Sequence, residues 1–153
     1  MLYLMQIICD KELIMQTPEQ IFRDEMCNQK LRITKNRLTI FRILEKSSKP
    51  LSIQEIIKLV DTNSHFTSVY RSIETMAQVG ILRIVPRGFK NLYELGELFQ
   101  PHHHHAVCEK CGHSVAINDA SLEKMMRKLT MSANLIPTKH QFELFGICKK
   151  CTK

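Results

Sequence analysis

The chain has 153 residues, of which 44% are hydrophobic, and a formal net charge of +7 at pH 7. This length can bury one ordinary core or two small ones, and the basic excess favours a polyanionic partner such as nucleic acid. No stretch reaches the roughly 18 to 20 apolar residues of a membrane span, and residues 1–9, although apolar, lack the basic region and cleavage site of a secretory signal. We therefore predict a cytoplasmic protein without a membrane partner.

The first three predicted helices each begin at a hydroxyl side chain, which can accept a hydrogen bond from the free N–H groups of the first turn. Thr17 precedes Pro18 and starts a short helix within an N-terminal extension of residues 1–29. Thr34 starts the second helix, and Ser52 starts the third in a capping-box pattern. Three short helices are therefore expected before the middle of the chain.

A fourth helix and a hairpin follow. Residues 63–64 lead into the helix, apolar side chains recur at helical spacing over 66–77, and Gly80 ends it. Two strands, 81–85 and 91–95, are predicted on either side of a turn at 86–89. Helices followed by a basic hairpin are typical of the winged helix-turn-helix, in which the helix before the hairpin enters the major groove.

Basic charge is concentrated in this predicted DNA-binding region. Residues 30–90 hold 12 Lys or Arg against 4 Asp or Glu, so the rest of the chain is close to neutral. A polar helix face is also compatible with simple solvation, but the local charge favours nucleic acid. The predicted DNA contacts are Lys35, Arg37, Ser68, Tyr70, Arg71, Arg87 and Lys90.

Two Cys-x-x-Cys pairs, Cys108 with Cys111 and Cys148 with Cys151, predict a zinc site. Two intervening residues let one tight turn present both sulfurs to one ion, and four thiolates close the coordination sphere, so the site is structural. Disulfides or redox chemistry are the alternatives, and the lack of a secretory signal disfavours disulfides. Because 36 residues separate the pairs, the ion would join distant segments of a small domain.

Four consecutive histidines, residues 102–105, precede the first cysteine pair. In a strand, alternate side chains point to opposite faces, so His102 and His104 would serve one metal site and His103 and His105 another. An expression tag is the other interpretation, but the run is internal and abuts Pro101.

The remaining residues predict a small mixed unit. A strand is expected over residues 114–117, a helix capped by Asp119 or Ser121 follows, and a second strand covers residues 142–148. The expected inner face of the helix consists of Leu122, Met125, Met126 and Leu129. Glu123 and His140 lie outside the apolar stripes. Each is compatible with an ordinary solvated residue, and together they could complete a four-ligand site with His102 and His104.

With these motifs the chain resembles the ferric uptake regulator family of metal-responsive transcription repressors, including its zinc-uptake branch. The resemblance covers about residues 30–151 and is carried by residues 31–34, Arg37, 69–71, 80–82, 93–95, 102–105, Cys108, Cys111, Gly112, His140 and Cys148. It implies an α+β protein: a winged helix-turn-helix domain over 30–95, a hinge over 96–101 and an α/β dimerisation domain over 102–153, held together by zinc on four cysteines.

The resemblance also implies metal ligands. Structural zinc matches Cys108, Cys111, Cys148 and Cys151; a site in the dimerisation domain matches His102, His104, Glu123 and His140; an inter-domain sensor matches Glu94, His103 and His105. The sequence departs from the family at three positions. Pro50 stands where many members have a histidine, Ala116 where they have an acidic residue, and Lys35 where they have a proline; His65 is a candidate substitute ligand.

The implied function is metal-dependent, DNA-binding repression of zinc or iron uptake genes by a homodimer. Binding of a regulatory Zn²⁺ or Fe²⁺ would favour a closed form that fits a double-stranded DNA operator. The alternatives are a metalloenzyme that uses the histidine and glutamate site, and a zinc-dependent protein-interaction module. We predict no enzyme, because no His-Glu-x-x-His motif is present, and the basic helix-turn-helix argues against the interaction module.

Overall fold

The computed structural model describes residues 16–60, 65–136, 138 and 140–152. The N-terminal extension is therefore described only from residue 16, and the predicted lead-in at residues 63–64 lies outside the described part. Within these ranges the chain forms five helices and six strands. The helices are α1 (Pro18–Asn28), α2 (Lys35–Glu45), α3 (Ile53–Leu59), α4 (Phe66–Gln78) and α5 (Ala120–Ser132). The strands are β1 (Leu51–Ser52), β2 (Leu82–Arg87), β3 (Lys90–Leu95), β4 (His104–Cys108), β5 (Ser114–Ile117) and β6 (Glu143–Gly146).

The predicted helix starts are confirmed. The Thr17 hydroxyl accepts from the Gln20 N–H, and the Ser52 hydroxyl accepts from the Glu55 N–H while the Glu55 carboxylate accepts from the Ser52 N–H. This last hydrogen bond is the main reason why the pKa of Glu55 falls to about 2. Thr34 caps α2 in the same way through the Arg37 N–H.

The hairpin differs from the prediction in its turn. Strands β2 and β3 pair as far as Arg87 opposite Lys90, so the turn contains only Gly88 and Phe89, and Pro86 and Arg87 belong to a strand. A two-residue turn between twisted strands needs a positive φ, and Gly88 supplies it at 57°. Pro86 is tolerated because β2 is an edge strand in the order β1-β3-β2. Strand β1 was missed since two residues give no periodic signal.

The main core lies among α1 to α4 and the first sheet. Phe22 of α1 and Phe41 of α2 are fully buried and stacked, with ring centroids 4.7 Å apart. Phe99, which follows β3, packs edge-on against Phe41 at 5.1 Å. The segment that leads out of this N-terminal unit is therefore anchored to its core.

The C-terminal unit is a second sheet in the order β5-β4-β6, with α5 beside it. Strand β4 is central, antiparallel to β5 and parallel to β6. The α+β fold is thus confirmed, but the expected inner face of α5 is not buried: Met125 is 59% and Leu129 58% exposed. The strands are only four or five residues long, so they cannot cover a helix of 13 residues. No helix among the described residues is long and apolar enough to cross a membrane.

Gly96 provides a test of how the N-terminal unit is joined to the following segment. Its N–H donates to the carbonyl oxygen of Ile81 at 2.9 Å, and a Cβ at this position would collide with the backbone of Gly80. We expect Gly96→Ala to lower the free energy of unfolding by about 1–3 kcal/mol, as overpacking does, measured by chemical denaturation. Gly146→Ala is the matched control, because a Cβ there meets nothing within 4 Å. Equal losses for both variants would contradict the close approach.

Candidate metal centres

Strand pairing brings the two cysteine pairs together. Cys108 ends β4, and its register partner in the parallel strand β6 is Gly146, two residues before Cys148. One ligand atom from each of the four cysteines lies within 4.8 Å of the others, and the sulfurs of Cys111 and Cys148 are 3.8 Å apart. A zinc tetrahedron with bonds of ~2.3 Å has sulfur edges of ~3.8 Å. The donor set and its spacing therefore fit zinc.

The protein backbone already favours a thiolate in this cluster. The Cys108 sulfur accepts the Cys148 N–H at 3.3 Å. This bond, followed by one from the Cys111 N–H, lowers the pKa of Cys108 to about 6. Hydrogen bonds with Cys148 and Cys111 raise the pKa of Cys151 instead. The backbone therefore favours the thiolate at Cys108, and a bound cation would favour thiolates at all four positions.

A four-residue cluster lies on one face of β4 and consists of His102, His104, Glu123 and His140. His104 Nε2 is 2.7 Å from Glu123 Oε1, and His102 Nε2 is 2.9 Å from His140 Nε2. Glu123 Oε1 is also 3.4 Å from His102 Nε2 and 3.3 Å from His140 Nε2. Zinc–nitrogen bonds of ~2.0–2.1 Å imply tetrahedral edges of ~3.3 Å, so the set is nearly pre-formed for a divalent ion.

A second group, the junction cluster, lies on the opposite face and consists of Glu94, His103 and His105. Glu94 Oε2 is 3.0 Å from His105 Nε2 and 3.4 Å from His103 Nε2. Burial would raise the pKa of Glu94, but the His105 hydrogen bond and the Arg83 charge hold it below its ordinary value. Because Glu94 belongs to β3 and the histidines to the C-terminal unit, this cluster joins the two units.

The N-terminal ends of α2 and α4 form a basic, open cleft of about 340 Å³. Arg37 and Arg71 line it together with Ser68, whose hydroxyl accepts from the Asn36 amide at 3.0 Å. Tyr70 is 47% exposed on the same helix. Guanidinium groups and hydroxyls at helix N-terminal ends are suited to phosphate oxygens.

Comparison with known proteins identifies the family that shares this arrangement. The model of the ferric uptake regulator family matches residues 28–145. The chain belongs to the ferric uptake regulator family. The ferric uptake regulation protein of Vibrio anguillarum is 31% identical over 123 residues, which cover 77% of this chain and 81% of that protein.

Two solved structures share the fold. The ferric uptake regulator of Helicobacter pylori, a protein with three functional metal binding sites, gives a TM-score of 0.75 at 24% identity over 90% of this chain and 95% of that chain. A zinc uptake regulator complexed with zinc and DNA gives 0.63 at 23% identity over 90% of this chain and 97% of that one. Members of the ferric uptake regulator family are metal-responsive transcriptional regulators and not enzymes, so the metalloenzyme alternative is set aside.

The positions at which the chain departs from the family bear on the junction cluster. Ala116 is the register partner of His105, so a methyl group stands beside the imidazole where many members of the family have a carboxylate. Pro50 is buried just before β1. His65 does not substitute here, because it lies in the basic cleft with Arg37 and Arg71. Among the described residues, the junction cluster therefore offers three ligands.

The Arg87 side chain is not freely accessible for a DNA contact. Its side chain is only 24% exposed and faces Glu143 of β6, with Nη2 3.8 Å from the carboxylate oxygen. The neighbouring Pro86 carbonyl accepts from the Gln141 amide at 3.5 Å. A contact between Arg87 and DNA, which stays a prediction, requires the pair with Glu143 to separate. Lys90, on the other side of the turn, is exposed.

Sequence reasoning missed two charged residues at these clusters. Glu97 accepts a hydrogen bond of 2.8 Å from His102 Nδ1, and this bond is the largest cause that lowers the pKa of Glu97. Arg83 donates to Glu94 from the neighbouring strand. Neither belongs to a motif, although Arg83 lies directly opposite Glu94 in the hairpin register, which a correct turn assignment would have revealed.

Glu97 should orient His102 for metal binding. A proton held on Nδ1 directs the Nε2 lone pair into the four-residue cluster, and such outer partners typically contribute about 10–100-fold to metal affinity. We expect Glu97→Gln to weaken Zn²⁺ binding at this cluster by about tenfold or more, measured by competition with a chromogenic chelator. Glu45→Gln, at the exposed end of α2, is the control for the charge change. Because a glutamine oxygen can still accept the hydrogen bond, Glu97→Ala is measured as well. Unchanged affinity in both variants would rule out the orienting role.

Proposed function

We propose that this protein is a metal-dependent, DNA-binding transcriptional repressor of zinc or iron uptake genes, acting in the cytoplasm as a homodimer. The observation that carries the proposal is the arrangement around β4. Two imidazole and carboxylate clusters lie on its opposite faces, and one of them reaches the unit that bears the basic cleft. Family membership supports metal-responsive regulation, and the local chemistry supports the finer assignment.

Three metal sites follow from the donor chemistry. Structural Zn²⁺ would be held by Cys108, Cys111, Cys148 and Cys151, because four thiolates leave no coordination position open for water or substrate. His102, His104, Glu123 and His140 would hold an exchangeable Zn²⁺ or Fe²⁺, since imidazole and carboxylate suit both ions. Glu94, His103 and His105 form a third, weaker set. The resemblance to a regulator with three metal sites supports this number.

The junction cluster couples metal to domain geometry in this proposal. We assign residues 30–95 to the DNA-binding domain, 96–101 to the hinge and 102–153 to the dimerisation domain, with 1–29 as an extension. Glu94 is the penultimate residue of the first domain, and Phe99 packs against Phe41, so the hinge is attached to the core of that domain. Bound metal would stabilise one relative orientation, and it can shift the equilibrium only by its higher affinity for that orientation.

The DNA contact is assigned to α4 and its surroundings. Ser68, Tyr70 and Arg71 would enter the major groove, while Lys35, Arg37 and Lys90 would contact phosphates, joined by Arg87 after release from Glu143. The basic cleft supports this assignment, as does the similar fold of a zinc uptake regulator bound to DNA. Residues on α4 would determine which DNA sequence is bound. The phosphate contacts would supply DNA affinity that falls as the salt concentration rises.

The proposed homodimer interface is the apolar surface of the C-terminal unit. Large side chains are exposed there without cover from the same chain: Val115, Met125, Leu129, Met131, Leu144, Phe145 and Ile147. Apolar surface of this kind is typical of interaction sites. A two-fold dimer would bury it and place two copies of α4 for two half-sites of an operator.

Leu129→Glu tests the interface. Burying an unpaired carboxylate is costly, so the dimer dissociation constant should rise by at least about 100-fold, measured by analytical ultracentrifugation. Lys124→Glu introduces the same side chain on another face of α5 and should leave the dimer intact. If Leu129→Glu remains as dimeric as the control, the interface is assigned to the wrong surface.

The function is tested by operator binding. Protein that retains structural zinc is titrated with Zn²⁺ or Fe²⁺ and added to duplex DNA from its own promoter, with binding followed by fluorescence anisotropy. We expect metal to tighten binding by at least about tenfold, a coupling of ~1.4 kcal/mol, and added salt to weaken it. Glu94→Gln, which removes the carboxylate of the junction cluster, should abolish the metal effect, whereas Arg71→Gln should weaken DNA binding without altering metal affinity. Arg23→Gln on α1 is the charge-matched control.

Two results would contradict the proposal. If removal of the exchangeable ion left operator affinity unchanged while circular dichroism showed an intact fold, the regulatory role would be wrong. If no duplex bound under any metal condition, the chain would instead be a zinc-dependent interaction module.

A further inference from the structure

Arg83 lies at the junction cluster, beside the ligands proposed above. It is the register partner of Glu94 across the β2–β3 hairpin, so both side chains emerge on the same face. Its Nε donates to Glu94 Oε1 at 2.7 Å, and its Nη2 donates to the carbonyl oxygen of His103 at 3.1 Å. The guanidinium thus already links the two units, and 25% of its side chain is exposed against 7% for Glu94.

The same guanidinium also faces a metal-binding atom. His103 Nδ1 is 2.9 Å from the carbonyl oxygen of Pro101, which can only accept, so a neutral His103 ring carries its proton on Nδ1. The lone pair is then on Nε2, and Arg83 Nη2 lies 3.3 Å from that atom. Arg83 therefore interacts with two of the three ligand groups that a metal ion would need.

Charge distinguishes this cluster from the other one. In the junction cluster the single carboxylate, Glu94, is paired with a permanent cation, so a divalent ion would add its charge to a neutral and largely buried group. In the four-residue cluster, the imidazoles contact two carboxylates, Glu123 and Glu97. Electrostatics therefore favours a divalent ion at the four-residue cluster.

We propose that Arg83 is the resident cation of the junction cluster: it competes with divalent metal for Glu94 and His103 and makes the four-residue cluster fill first. The proposal rests on the metal sites assigned under the proposed function. Arg83 would then set the metal concentration at which the junction cluster fills, because the guanidinium must move before Glu94 and His103 can bind an ion. Until then, Arg83 maintains the contact between the two units.

A purely orienting role for Arg83 gives the opposite prediction. If the guanidinium only held Glu94 in position for the ion, its removal would weaken metal binding. If it competes, its removal strengthens binding. The sign of one affinity change therefore separates the two roles.

The experiment is a Co²⁺ titration of the full chain with structural zinc retained and no DNA present. Visible absorption counts the sites, and a competing chelator gives their affinities. Arg83→Gln should tighten the second binding event by at least about tenfold, because a positive charge next to the ion is lost, and leave the first event unchanged. Arg83→Lys keeps the charge but lacks the planar guanidinium that bonds Glu94 and His103 together. It should therefore tighten the second binding event by less than Arg83→Gln does. Arg23→Gln, with the same charge change on α1, should alter neither.

A double variant assigns the gained affinity to its site. Arg83→Gln combined with Glu94→Gln should lose the tighter second event, because the carboxylate ligand is gone. Weaker or unchanged second-event affinity in Arg83→Gln overturns the proposal, and so does a gain that survives Glu94→Gln. If Arg83→Gln fails to fold by circular dichroism, the direction of the change in Arg83→Lys decides in the same way.

The outcome is separable from that of the proposed function. Cobalt affinities are measured without DNA, so tighter binding in Arg83→Gln would support competition even if metal had no effect on the operator. Conversely, metal-dependent operator binding together with unchanged cobalt affinity would support the repressor and reject the role of Arg83.

Discussion

The period of two along β4 is the constraint on which the candidate sites depend. His104 and His105 are neighbours in the chain, yet one contacts Glu123 and the other contacts Glu94 on the opposite face. His102 and His103 continue the alternation just before the strand. A one-residue slip in the pairing of β4 would exchange the two sets of ligands. The register with β5 and β6 therefore decides which histidine belongs to which site.

A metal ion on the cysteine cluster would stabilise this register. Strand β4 ends at Cys108, and β6 leads to Cys148, so an ion on the four sulfurs would fix the two strands beside each other. The C-terminal unit needs such a link, because its sheet is small and α5 has no buried residue within the single chain. Small units with little core commonly depend on metal or on a partner chain. The proposed zinc and the proposed dimer interface would both act on the same sheet.

Features that depend on residues close together in the sequence could be predicted, whereas features that depend on contacts between distant residues could not. The caps at Thr17 and Ser52 and the cysteine spacing are set within a few residues, so the helix starts and the sulfur cluster followed directly. Glu97 and Arg83 escaped notice because their roles arise from cross-strand and hinge contacts that no short motif encodes. The exposed face of α5 was misjudged as core since a helical stripe does not reveal whether its partner is the same chain.

The two clusters differ in a way that ligand counting does not capture. Each combines imidazoles with carboxylate, but the charge around them is opposed: Glu97 adds negative charge beside His102, whereas Arg83 adds positive charge beside His103. The four-residue cluster already has one more ligand than the junction cluster, and these outer residues would widen the difference in metal affinity between the two sites. Arg83 on β2 and Glu97 in the hinge would therefore favour ion binding on the face of β4 that carries His104.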